Sequence, residues 1–340
     1  MCGIAGFSSF EKDYLIQRKR WDDILGEMRH ILRHRGGDQE GQFLEKHIGL
    51  SHSRLSIRDV VGGAQPMIRR QNGKEYAIVY NGELYNVDEL KRILSNHDFS
   101  TTTDTEVLLY GYMEYGPDFF SQLNGIYAAA IWDGGLEQLV LVRDRAGVKP
   151  LFYTLRNGEL IFGSEPKALF QHPEVCPEID RESLREIFGI GPARTSGHGV
   201  FKGVKELEPG QFAVFDREGF RAAYYWRLQA REHEDDYKDT VARTAFLVRD
   251  AVERQMVSDV PVCSFLSGGV DSSIVTALAA NFLGRQGGRL NTFSFDFTGN
   301  AQYFQSNVFQ PEQDRAYVEI MLSVHPELNH TFLECGEERL

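Results

Sequence analysis

The sequence predicts a mixed α+β domain followed by an α/β domain built on a parallel sheet, and three observations carry that expectation. Over the first two hundred of the 340 residues, short stretches rich in β-branched and aromatic residues alternate with turns and a few segments of helical spacing. A charged run at 229–237, QAREHEDDY, then breaks the pattern. Beyond it, strand-like and helix-like segments alternate, as they do in parallel sheets. A chain of this length suits two domains, each able to bury a core.

Taken in order, the strands are expected at 50–57, 76–80, 126–132, 139–142, 151–153 and 160–162, where Val, Ile, Leu, Tyr, Phe and Trp concentrate. Helices are expected at 21–32, 87–95 and 106–115, where apolar residues recur every three or four positions. After the charged run come a helix at 240–255, a buried-type strand at 262–266, a glycine loop, a helix from Ser273 and a strand at 291–297. No internal repeat or low-complexity segment interrupts the chain. The expected boundaries are 2–205 for the first domain, 206–235 for a linker and connecting segment, and 236–340 for the second domain.

With 37 Lys and Arg against 49 Asp and Glu, the net charge of −12 repels a phosphate backbone and argues against a nucleic-acid partner. A small-molecule substrate is the better expectation. Glu11, Lys12, Asp13, Arg18, Lys19 and Arg20 leave no room for an apolar signal segment, and no apolar run approaches membrane-spanning length. The expected compartment is the cytoplasm. The four cysteines, Cys2, Cys176, Cys263 and Cys335, form no CxxC pair and suggest neither zinc nor disulfides. Cys176 follows a His-Pro loop, Cys263 falls in an apolar strand and Cys335 in a polar tail; all three read as structural or incidental.

Cys2 is placed differently. Removal of Met1 would expose it as the first residue, and its own α-amine, with a reference pKa of about 7.7–8.0, could then take the thiol proton and return it to a leaving amine. By position alone it reads more readily as an ordinary buried thiol in an N-terminal strand.

The surroundings extend this reading. Met1-Cys2-Gly3-Ile4-Ala5-Gly6-Phe7 is followed by Arg35-Gly36-Gly37-Asp38, Arg54-Leu55-Ser56-Ile57, Tyr80-Asn81-Gly82-Glu83-Leu84-Tyr85-Asn86 and Asp104-Thr105-Glu106-Val107. Arg143-Asp144-Arg145-Ala146-Gly147-Val148-Lys149-Pro150-Leu151 and Gly163-Ser164-Glu165-Pro166-Lys167-Ala168 come later. This order and spacing resemble the class II glutamine amidotransferases over most of the first two hundred residues. The resemblance implies the N-terminal-nucleophile fold, an αββα sandwich of two antiparallel sheets between helix layers.

It also implies roles. Cys2 is the nucleophile. Arg54 matches the residue that holds the α-carboxylate of L-glutamine, a task that suits a guanidinium fork, and Asp104 matches the acid that holds the α-ammonium. Asn81 and Gly82 match donors to the tetrahedral oxyanion, and Glu83 a residue near the substrate amine. Taken singly, Arg54 reads as a solvated arginine on a strand, Asp104 as a helix N-cap and Asn81-Gly82 as a hairpin turn. The family usually has Arg-Gly-Pro-Asp where this chain has Arg35-Gly36-Gly37-Asp38, and glycine leaves that loop looser than proline would.

In the second domain, Val262-Cys263-Ser264-Phe265-Leu266-Ser267-Gly268-Gly269-Val270-Asp271-Ser272-Ser273 sets a glycine loop between a strand and a helix, an arrangement whose N–H groups suit phosphate. No GxxxxGK[ST] occurs. The segment resembles the pyrophosphate loop of the enzymes that cleave ATP between its α- and β-phosphates. That resemblance implies ATP contacts at Ser267, Gly268, Gly269, Asp271 and Ser272 and a share for Asp271 in holding Mg²⁺. It puts Leu266 and Phe295 on the adenine side; Phe295 alone reads as core packing.

An amidotransferase domain followed by this loop resembles glutamine-dependent asparagine synthetase. The implied reaction amidates the adenylated β-carboxylate of L-aspartate, or another carboxylate acceptor, with a homodimer as a candidate assembly. The alternatives are an amidotransferase for another carboxylate, a glutaminase with an incomplete synthetase domain, and a regulatory glutamine sensor. About a hundred residues after the linker are few for a doubly wound sheet, and no second phosphate-facing loop of Ser-Gly-Glu-Gly type occurs. The second domain is therefore expected to be incomplete, either in a fragment of a longer chain or in a natural glutaminase whose sheet another polypeptide completes.

Overall fold

A computed structural model describes residues 1–308 and 312–336; residues 309–311 and 337–340, within the expected second domain, lie outside the described residues. The chain divides into two units, Met1–Ala230 and Arg231–Leu340.

The first unit begins with β1 (Gly3–Ser9), α1 (Arg18–His30), β2 (Gln39–Glu45), β3 (Ile48–Arg54), β4 (Met67–Gln71) and β5 (Lys74–Leu84). It continues with α2 (Val87–Ile93), α3 (Asp104–Tyr115), β6 (Gly125–Asp133), β7 (Gln138–Arg143), β8 (Phe152–Arg156) and β9 (Glu159–Gly163). It closes with α4 (Pro166–Leu169), α5 (Arg181–Gly189), β10 (Lys205–Glu206), β11 (Gln211–Asp216) and β12 (Gly219–Tyr224). The strands form two six-stranded sheets, in the orders β10-β8-β9-β1-β3-β2 and β12-β11-β7-β6-β5-β4, and all their pairings are antiparallel.

Strand side chains alternate between faces, and here both faces of each sheet are covered. On β5, Ala77 and Val79 join one apolar cluster while Ile78 and Tyr80 join another. On β6, Ala128, Ala130 and Trp132 separate in the same way from Tyr127, Ala129 and Ile131. The first set meets Ile4, Leu50 and Phe162 of the facing sheet, and the second meets Val107 and Leu108 of α3. A third cluster lies beyond the other sheet, where Ala5 and Phe7 of β1 meet Trp21, Leu25 and Met28 of α1. These last three are spaced four and three residues apart, which puts them on one helical face. Three apolar interfaces thus separate four layers, helix, sheet, sheet and helix, and the continuous apolar runs of the sequence follow from burial on both faces.

The connecting segment expected at 206–235 is shorter than that. Phe212 to Phe215 of β11 pair with Val142 to Leu139 of β7, so residues up to Tyr224 extend a sheet of the first unit. Polar tips such as Asp216-Arg217-Glu218 mask a strand whose alternate residues, Ala213 and Phe215, are buried.

The second unit carries α6 (Tyr237–Arg254), β13 (Cys263–Phe265), α7 (Val270–Arg285), β14 (Asn291–Phe297), α8 (Asn300–Tyr303), α9 (Asp314–Val324) and β15 (Asn329–Cys335). The described strands pair in parallel in the order β13-β14-β15. The strand at 262–266 is not fully buried: β13 is an edge strand of this sheet, Cys263 is exposed and only Leu266 just beyond it is covered. Cys335 ends a strand rather than lying in a tail. The helix expected from Ser273 begins at Val270, because Gly269 is extended and an acidic residue in the first turn suits the helix dipole. Asp271 and Ser272 therefore belong to the helix.

Candidate active site

The N-terminal strand β1 lies centrally in its sheet, between β9 and β3, and points its first residues at the loop that leaves β3. The Leu55 N–H donates to Cys2 Sγ at 3.4 Å, and the Leu55 carbonyl lies 3.7 Å from the same sulfur. Burial pushes the thiol pKa up, with the Leu55 N–H acting in the opposite direction. A thiol so held is protonated near neutrality and would need a base to act as a nucleophile.

Cys2 shares a cavity with Arg54, Gly82, Glu83 and Asp104, together with Leu55, Arg58, Gln65 and Tyr80. Residues from opposite sheets and from the start of α3 converge here. Asn81 and Gly82 lie inside β5, not at a hairpin turn. Tyr127 of β6 pairs with Gly82 so closely that a Cβ at Gly82 would fall 2.5 Å from the Ile126 carbonyl oxygen, so only glycine fits. Asn81 is buried, and its Nδ2 has no hydrogen-bond partner. A buried donor left unpaired is costly unless something else uses it.

Asp104 is not the helix cap; Thr103 takes that position and accepts from the Glu106 N–H. The Asp104 carboxylate instead accepts from Tyr80 Oη at 3.0 Å and the Leu84 N–H at 2.8 Å. Burial pushes its pKa up, against those two bonds and the charge of Arg58. Burial, and then the charge of Asp104, push Glu83 up as well, to about 8. Two carboxyls confined together resist double ionisation, which a bound cation would relieve.

Arg54 is buried rather than solvated, with 4% of its surface exposed. Its Nη1 donates to Gln39 Oε1 at 2.6 Å and the Val60 carbonyl at 3.1 Å, and Nη2 to the carbonyls of Arg58 at 2.9 Å and Asp59 at 2.7 Å. The fork therefore holds the 58–60 loop, and a carboxylate reaching it would have to replace some of these acceptors.

Several neighbours were not singled out from the sequence. Gln65 accepts from the Tyr80 N–H at 2.6 Å, and Arg58 donates to the Leu84 carbonyl at 3.2 Å. His52 donates through Nε2 to the Tyr80 carbonyl at 3.0 Å and is kept neutral by burial, with a pKa of about 4. Burial also lowers the pKa of Lys149, against the charge of Glu83. Only Lys149 fell in a quoted motif, and nothing local marks the others.

In the second unit, Gly268 adopts φ +83° and packs so closely that a Cβ would lie 2.7 Å from the Asp314 carbonyl oxygen. Ser272 Oγ donates to the Gly269 carbonyl at 3.0 Å and accepts from the Ser267 N–H at 3.3 Å. Leu266, Ser267 and Phe295 line a cavity at the ends of β13 and β14 with Asp314 and Arg315, while Gly268, Gly269, Asp271 and Ser272 are not among its lining residues. Phe295 is 57% exposed, so it is not core packing. Among the described residues no group of three His, Cys, Asp or Glu side chains could hold a metal ion. Asp271 thus fits only a Mg²⁺ that takes its other ligands from phosphate and water. None of the described helices is long and apolar enough to cross a membrane.

Residues 1–226 match the glutamine amidotransferase domain family, and residues 244–340 match the asparagine synthase family. Over 333 residues the chain is 44% identical to glutamine-hydrolysing asparagine synthetase 3 of Bacillus subtilis, covering 97% of this chain and 54% of that protein. It is 36% identical over 293 residues to synthetase 2 of the same bacterium, covering 82% and 39% respectively. It is also 32% identical over 324 residues to an amidase of Penicillium rubens, covering 89% and 46%. The chain thus spans about half the length of these curated relatives.

Proposed function

Because this chain belongs to the glutamine amidotransferase family, we propose that its first unit hydrolyses L-glutamine with Cys2 as nucleophile and that the ammonia amidates a carboxylate at an ATP site in the second. The observation that carries the first half is the convergence of Cys2, Arg54, Gly82, Glu83 and Asp104 on one cavity.

Glu83 and Asp104 attract the α-ammonium of glutamine, and Arg54 its α-carboxylate, which presents the side-chain amide to the thiol. With Met1 removed, the Cys2 α-amine takes the thiol proton as sulfur attacks the amide carbon, and it returns that proton to the departing ammonia. The unpaired Asn81 Nδ2 and the Gly82 N–H receive the oxyanion of the tetrahedral intermediate. Water then cleaves the thioester and releases glutamate.

ATP bound in the second unit would supply the energy that activates the acceptor carboxylate. Ser267, Gly268, Gly269, Asp271 and Ser272 would hold its pyrophosphate end, Asp271 would share in holding Mg²⁺, and Leu266 and Phe295 would face its adenine side. Aspartate is the acceptor supported by the synthetase relatives, and the reading extends their activity to a chain half their length. An acceptor other than aspartate is the second reading, favoured by the similarity to the Penicillium amidase.

The deciding test is Cys2→Ala with intact-mass measurement of the active protein. Met1 should be absent, and the variant should fold normally yet release no glutamate from glutamine. Ordinary turnover by the variant, or full activity with Met1 retained, would reject the nucleophile.

A further inference from the structure

The end of β1 is fastened by consecutive residues that lie about 160 positions away in the sequence, and the last fastening reaches Cys2. Ala5 pairs with Gly163 in the β1–β9 ladder. One step outward, the Ile4 N–H donates to Ser164 Oγ at 3.0 Å, and the Ile4 carbonyl accepts from the Ser164 N–H at 2.8 Å. At Cys2, beyond the last ladder pair with β9, side chains take over. Arg35 Nε donates to the Cys2 carbonyl at 2.9 Å, and Arg35 Nη1 donates to Glu165 Oε1 at 2.9 Å. His34 Nε2 lies 2.9 Å from that same oxygen, and Lys167 Nζ lies 2.9 Å from Oε2. Burial disfavours ionisation of Glu165, but Lys167, Arg35 and His34 outweigh it and hold the carboxyl at about 2.

Once Cys2 is the first residue, the peptide plane that joins it to Gly3 can turn about the Gly3 N–Cα bond unless the Cys2 carbonyl is fixed. That rotation would swing the thiol and the α-amine together, because both are borne by the same Cα. Nucleophilic attack tolerates little misplacement of either group. We propose that Glu165 is a positioning residue for the nucleophile: it clamps the Arg35 guanidinium onto the Cys2 carbonyl and so aims thiol and α-amine at the glutamine pocket. The inference rests on the reading of Cys2 as nucleophile. Glu165 and Arg35 are absent from the cavity lining that faces glutamine, so the clamp acts on the rate of chemistry and not on substrate affinity.

Steady-state glutaminase kinetics on the 340-residue chain test it through Glu165→Gln, Glu165→Ala, Arg35→Ala and the double alanine variant. Glu165→Ala should lower kcat roughly tenfold or more with the KM for glutamine within about twofold, as expected for loss of alignment without loss of binding. Glu165→Gln keeps an acceptor oxygen and should lose less. The double variant should be no slower than Arg35→Ala alone, because both act through one contact. Wild-type kcat in both Glu165 variants, a raised KM with intact kcat, or multiplying losses in the double variant would each overturn the clamp. Should Glu165→Ala not fold, the near-isosteric Glu165→Gln and its double with Arg35→Ala give the same readouts. Turnover by Cys2→Ala would sink the nucleophile instead, so the two failures are distinguishable.

Discussion

Glu83 and Asp104 line the proposed glutamine pocket with both carboxyl pKa values raised, chiefly by burial, and Glu83 stands at about 8. At pH 7 Glu83 is thus mostly protonated, and a bound α-ammonium favours the carboxylate. Glutamine binding to the inactive Cys2→Ala variant should therefore release up to one proton near neutrality. Calorimetry in buffers of different ionisation heat reads this directly, and a binding heat that is the same in every buffer would contradict it. Asp104→Ala should lower kcat/KM by about 2–5 kcal/mol, mainly through KM, the cost of removing one partner from a desolvated charge pair. Arg54→Ala should raise KM too, but it also releases the 58–60 carbonyls, so it should lower the melting temperature where Asp104→Ala does so less. Equal melting temperatures for the two variants would argue against that second duty of Arg54.

At the scale of elements, the start of α3 decides whether Asp104 faces the pocket. Thr103 caps the helix, and Glu106 in its first turn gathers the preceding loop. The Glu106 carboxylate accepts from the Ser100 N–H at 3.1 Å, the Thr101 N–H at 2.7 Å and Arg69 Nη2 at 2.6 Å. Burial raises its pKa, but hydrogen bonds from Thr101, Arg69 and Ser100 prevail and leave it at about 2 against an ordinary 4.5. A depressed carboxyl stabilises the fold above the unfolded-state value, and that contribution is lost as pH falls through the folded value. Glu106→Gln should therefore cost about 1–3 kcal/mol at pH 7 and flatten the stability loss on acidification. Thr103→Ala should cost about 1 kcal/mol by losing the cap. Urea unfolding at several pH values measures both; a Glu106→Gln curve parallel to wild type across the acid range would show that the carboxylate carries none of the pH dependence.

For the whole molecule, all three apolar interfaces of the sandwich are made by residues of the first unit, from Ile4 to Phe215. Among the described residues the second unit has one small cluster, around Ala279, Ala280 and Leu290, and none of α6 is buried. A piece ending at Ala230 should accordingly fold cooperatively and hydrolyse glutamine with a kcat comparable to the full chain. Circular dichroism melting and glutamate release test it together, and an unfolded or inactive piece would mean that the glutaminase depends on the second unit.

Local signals carried most of what the sequence determined. Apolar runs rich in β-branched and aromatic residues, such as those of β5 and β6, and apolar residues spaced every three to four positions, such as Trp21, Leu25 and Met28, show their element directly. The motifs around Cys2, Arg54, Asn81, Gly82, Glu83 and Asp104 suggested the chemistry through their order and spacing, which resemble the class II glutamine amidotransferases, and the fold brings Cys2, Arg54, Gly82, Glu83 and Asp104 to one cavity. Where local and global demands diverged, only the tertiary structure decided. Asn81 and Gly82 look like a turn but lie in a strand paired across its whole length, and β11 looks like a linker because its polar tip hides two buried residues. The same holds for contacts between distant residues: Arg54 spends its fork on a loop, and Glu165 reaches Cys2 through Arg35. Hydrogen-bond donors are allotted by which backbone comes within about 3 Å, a matter of register between strands far apart in sequence that no local pattern encodes.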